Sequence, residues 1–97
     1  MTIFELHATT GCSAFNVPVR KTYTTQKAYK ILSEKAFDIY RRKIEAEPRL
    51  AEFVLRLAIW ESKTDADGIF KLVSTTYRDF AYKDGKVVMV KERVFNE

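Results

Sequence analysis

Apolar and polar residues alternate with a period of two near both ends of the chain and recur with a period near 3.6 between them. From Thr2 to Thr9, Ile3, Glu5 and His7 alternate against Phe4, Leu6 and Ala8, which predicts a half-buried strand. Thr9-Thr10-Gly11-Cys12-Ser13 is rich in turn formers. Phe15, Val17 and Val19 then alternate with polar or small neighbours up to Lys21, again as in a strand. Pro18 has no amide hydrogen for a ladder, so this second strand is expected at an edge or with a bulge. The two segments together predict an N-terminal hairpin.

Thr24 or Thr25 can cap the next element, because a threonine hydroxyl accepts an orphan amide hydrogen of a first helical turn. From Gln26 to Glu45, Ala28, Ile31, Leu32, Ala36, Ile39, Tyr40 and Ile44 recur at spacings of three and four. They form one broad apolar face, with Tyr29 and Phe37 at its margin. Pro48 marks the helix end. Two readings compete for Leu50 to Glu61. As a second helix within residues 48–62, Leu50, Phe53, Val54 and Leu57 face inward. As a strand, Ala51, Phe53, Leu55, Leu57 and Ile59 share an apolar face. The content of alanine, leucine, glutamate and arginine favours the helix, and both stay open. Thr64 to Gly68 is a turn in either case.

Ile69 to Tyr82 is rich in β-branched and aromatic residues, and Val87 to Phe95 repeats the pattern. Asp84-Gly85 between them is a strong hairpin signal, since a type I′ turn needs positive φ at both central residues. The order is hairpin, one helix or two, hairpin. It predicts an α+β fold with a helical layer on one face of an antiparallel sheet.

At 97 residues the chain has the length of one domain, residues 1–97. Apolar residues make up 46% and charged residues 31%, proportions that support a packed core and not a disordered chain. Cys12 is the only cysteine, which excludes an internal disulfide and a multi-cysteine zinc site. The chain starts without a signal-peptide pattern and has no apolar run of ~18 residues. A cytoplasmic location is expected.

Candidate chemistry is sparse. His7 and Cys12 suggest a thiol–imidazole pair, but no third group is in place to orient it and no oxyanion site accompanies it. Asp65-Ala66-Asp67-Gly68 has two carboxylates at calcium-loop spacing without the rest of the twelve-residue loop. Thr9-Thr10-Gly11 leads into a strand, so it is no phosphate cradle. No catalytic, cofactor or metal residues are assigned, and a small enzyme ranks third among the functions expected.

The net charge of +4 makes a modest case for an acidic partner. Arg20, Lys21, Lys27, Lys30, Arg41, Arg42 and Lys43 are the best basic cluster, with Tyr23, Tyr29 and Tyr40 available to stack on bases. A nucleic-acid-binding module is therefore the alternative. Interleaved Glu34, Asp38, Glu45 and Glu47 weaken it, because they pair with the same helical face. Aromatic residues amount to 13%, and Tyr77, Phe80, Tyr82 and Phe95 crowd the last hairpin. If helices cover one side of the sheet only, Tyr77 and Tyr82 should line an exposed patch rimmed by Arg78, Lys83, Lys86 and Lys91. The leading expectation is a non-enzymatic protein-binding module, an inhibitor or regulator. Monomer and homodimer are both compatible with it.

Overall fold

The structure, a computed structural model, describes residues 1–13 and 15–97. In chain order it contains β1 (Thr2–Thr9), β2 (Arg20–Tyr23), α1 (Gln26–Ala46), a short 3-10 turn (Pro48–Glu52), β3 (Leu55–Thr64), β4 (Phe70–Lys83) and β5 (Lys86–Asn96). The strands form one antiparallel sheet in the order β2-β1-β3-β4-β5. Because β2 and β3 both run antiparallel to β1, they are parallel to each other, and α1 is the crossover between them. The fold is α+β, with one long helix on one side of the sheet.

Local signals account for the ends of α1. Thr25 has an extended backbone and its hydroxyl accepts a hydrogen bond from the Ala28 amide at 3.1 Å. At the other end the Glu47 amide donates to the Lys43 carbonyl at 3.0 Å, and Pro48 starts the 3-10 turn. The Asp84–Gly85 turn has φ of 52° and 79°, both positive, and links Lys83 directly to Lys86.

Residues 55–61 follow the strand reading, while Ala51 and Phe53, expected on the same strand face, lie outside the strand. Only Pro48–Glu52 coils, and Leu55 to Ile59 enters the middle of the sheet between β1 and β4. There β3 pairs along both edges, with β1 on one side and β4 on the other. That cooperative gain outweighs the weak helix preference of alanine, leucine and arginine. The second helix is absent, so among the described residues no second helical layer covers the far side of the sheet.

The core lies between α1 and the sheet. Leu6, Leu55, Leu57, Ile59 and Phe80 rise from the strands to meet Ala36, Tyr40 and Ile44 of α1, and the Phe37 ring lies 4.5 Å from that of Phe80. The buried stripe of α1 is Ser33, Ala36, Tyr40 and Ile44. Leu32 and Ile39 are half-buried, and Ile31 is 58% exposed. The stripe is rotated from the sequence expectation so that it includes Ser33, whose hydroxyl is satisfied by donating to the Lys30 carbonyl at 3.0 Å. Phe15, Val17 and Val19 are buried as their alternation implies, but the ladder with β1 begins only at Arg20. They plug the core from a connecting segment, tied to β1 by the Ala8 amide donating to the Val19 carbonyl at 3.0 Å.

The molecule measures 50 × 22 × 22 Å. Its length is that of β4, whose fourteen residues reach about 46 Å at ~3.3 Å each. The helix, about 32 Å long, is shorter than the sheet it covers. Bulges at Glu61/Ser62 and Asp79/Phe80 leave Val73 and Val90 as extra residues and add twist.

Candidate functional site on the uncovered sheet face

Side chains alternate across the sheet, so each residue beside one that faces α1 points to the opposite, helix-free side. Register assembles that side into cross-strand rows. Thr22, Glu5, Trp60, Thr75 and Phe95 form one row from β2 to β5, and Arg20, His7, Ala58, Tyr77 and Arg93 form the next. Thr9, Arg56, Asp79 and Lys91 form a third. Five strands thus bring together two large aromatic rings, an exposed phenylalanine and four basic groups that lie far apart in the chain.

Their contacts are specific. The His7 ring meets Trp60 edge-on, with centroids 4.8 Å apart, and its Nε2 lies 3.0 Å from the Glu5 carboxylate. Arg20 approaches the same carboxylate at 3.5 Å. Arg56 donates to both Asp79 oxygens, at 2.8 and 3.2 Å. Its guanidinium carbon also lies 5.4 Å from the Tyr77 ring centre, and that of Arg93 lies 5.8 Å from it. Phe95 closes the group, edge-on to Tyr77 at 5.9 Å. The hydrogen bonds from Arg56 hold the Asp79 carboxyl below the usual carboxylate range, and the Arg56 guanidinium is pushed up chiefly by the same bonds.

Of the residues expected to make one patch, Tyr77 and Lys91 lie on this face. Arg78 and Tyr82 do not. Arg78 points to the helix side, where it donates to Glu92 at 2.7 Å and to the Tyr29 hydroxyl at 2.5 Å. Tyr82 packs against the core and its hydroxyl reaches Glu45 at 3.4 Å. Lys83 and Lys86 flank the exposed Asp84–Gly85 turn. Tyr77 and Tyr82 are five positions apart, an odd offset, and the bulge at Asp79/Phe80 adds its extra residue on β5, not β4. They therefore fall on opposite faces.

The basic cluster of the alternative reading is also divided. Arg20 belongs to the uncovered face, and Lys21 sits beside it on the β2 edge. Lys27 and Lys30 lie in the first turns of α1, about 16–24 Å along the axis from Arg41, Arg42 and Lys43. Arg41 is bound to Asp38 at 2.8 Å and Glu45 at 3.1 Å, and Arg42 to Asp38 at 3.0 Å. The remaining candidates are absorbed by structure. Cys12 packs against the core while His7 turns to Glu5 and Trp60. One Asp65 oxygen accepts from the Ile69 and Asp67 amides, which lowers its pKa, and the other pairs with Lys71 at 3.3 Å.

Sequence reading missed Trp60, Arg56, Arg93 and His7 as one group. The signal was the alternation of Arg56, Ala58 and Trp60, which carries meaning only once residues 55–64 form a strand. A cleft of about 230 Å³ lies on the other side of the sheet, beneath the start of α1, lined by Phe4, Tyr23, Tyr29, Glu61 and Arg78 among others. Burial pushes the Tyr23 phenol up to about 12, so it stays protonated there. β5 leaves a free edge, but Lys91, Glu92 and Arg93 and the bulge at Val90 blunt it as a template for strand addition. No helix among the described residues is long and apolar enough to cross a membrane. Comparison with family models, with curated proteins and with solved structures finds no match to the chain.

Proposed function

We propose that this protein is a non-enzymatic module that binds another protein through the uncovered face of its sheet, as an inhibitor or regulator of that partner. The observation that carries the proposal is the grouping of Trp60, Tyr77 and Phe95 with Arg56 and Arg93 on a sheet face that has no helical layer. Tryptophan, tyrosine and arginine dominate the binding energy of protein interfaces, because each buries a large rigid surface and keeps a polar group for orientation. Folding alone gains little from leaving such residues half-exposed. The polar residues around them, Glu5, Arg20 and Lys91, resemble the rim of an interface. With Cys12 as its only cysteine, the chain suits a reducing compartment, and we take the protein to act in the cytoplasm.

The test is capture of a partner from native extract by the parent protein and by Trp60→Ala and Tyr77→Ala variants whose melting curves remain cooperative. Both variants should lose the captured protein. Capture that persists on an intact fold refutes the proposal. Binding of random DNA or RNA with a steep salt dependence would favour the nucleic-acid alternative instead.

A further inference from the structure

Within the uncovered face, one corner carries more positive charge than the fold uses. The Asp79 residue is 7% exposed, and both its carboxylate oxygens are bound by Arg56. Lys91 stands directly across from Asp79 on β5, and Arg93 lies two residues further along the same face. Register places both beside Asp79 on the same face, where both lower its pKa, yet among the described residues neither forms a salt bridge of its own. One carboxylate therefore sits among three cations, leaving a local surplus of two positive charges. Tyr77 holds two of those cations in place, with the Arg56 and Arg93 guanidiniums over its ring. The fork of Arg56 is taken by Asp79, whereas Arg93 has no carboxylate partner among the described residues, and its planar fork matches one.

We infer that the corner formed by Arg56, Lys91 and Arg93 receives carboxylate side chains of an acidic segment of the partner protein, beside apolar anchors seated at Trp60 and Phe95. The inference rests on the proposed protein-binding function and adds the chemistry of the partner. Charge complementarity selects an acidic occupant. Two features select protein over single-stranded nucleic acid. The Tyr77 ring already has the Arg56 and Arg93 guanidiniums 5.4 and 5.8 Å from its centre, which compete with the base stacking a nucleic-acid platform needs. The surplus cations form one cluster and not a track, since Glu5 lies on the same face towards the far end.

Trp60 is the only tryptophan and lies on this face, so its emission reports on occupancy. The full chain is titrated with a short peptide of alternating glutamate and leucine, with the same peptide carrying glutamine for glutamate, and with single-stranded oligothymidylate. The glutamate peptide should shift the emission and bind about tenfold or more tightly than the glutamine peptide, the worth of one charge-assisted hydrogen bond. Added salt should weaken it, and the double variant Lys91→Gln, Arg93→Gln should lose about tenfold with its melting temperature kept. Equal binding of the two peptides overturns the inference and leaves the protein-binding function standing. Preference for oligothymidylate overturns both. No emission change with any probe, or unchanged affinity in the double variant, overturns the inference alone, because capture of the partner is measured separately.

Discussion

Phe15 is the sharpest test of how the core is assembled, because it belongs to no paired strand and yet is only 1% exposed. Its ring lies 5.5 Å from that of Tyr40 and 6.4 Å from that of Phe53. Phe15→Ala removes a complete ring from a packed site and leaves a cavity beside the helix, at a cost of about 3–5 kcal/mol. A domain of this size has about 5–15 kcal/mol in total. At ~4–8 °C per kcal/mol, the melting temperature should fall by roughly 12–40 °C. Phe95→Ala is the control. That ring is 51% exposed and touches Tyr77 edge-on, so its loss should cost no more than about 1 kcal/mol. Thermal and urea melts followed by circular dichroism measure both, with the urea slope m expected to stay constant if two-state unfolding is kept. A Phe15→Ala cost below about 1 kcal/mol, or a Phe95→Ala cost as large as that of Phe15→Ala, would refute this division between core and surface aromatics.

Asp79→Asn should cost about 1–2 kcal/mol at neutral pH, a figure reduced for the partial exposure of Arg56, which solvent screens. Because folding lowers the Asp79 pKa, its stabilising effect is complete above the unfolded value near ~3.9 and is lost as pH falls through the lower folded value. The gap between parent and variant in pH-dependent melts should therefore close in acid, and a gap that widens there would contradict the assignment. Gly85→Val should destabilise the β4–β5 hairpin by about 1–2 kcal/mol, since a β-branched residue resists φ of 79°. An unchanged melting temperature would show that the turn relaxes at no cost.

The sequence by itself determined the elements whose signals are local. Thr25, the spacing of apolar residues from Gln26 onward and Pro48 specify α1, because capping and helical periodicity act within a few residues. Asp84-Gly85 specifies its turn, because positive φ is a property of the residues themselves. Even the burial of Phe15, Val17 and Val19 was readable from their alternation. The tertiary structure decided what depends on neighbours remote in the chain. Residues 55–64 become a strand because β1 and β4 offer ladders on both sides, a gain that no local window contains. Tyr77 and Tyr82, close in sequence, are parted by the pleat of β4, and Arg78 is turned inward to Tyr29 across forty-nine residues. Trp60, Tyr77, Arg93 and His7 come together only through cross-strand register, and a shift of one residue would send each to the other face of the sheet.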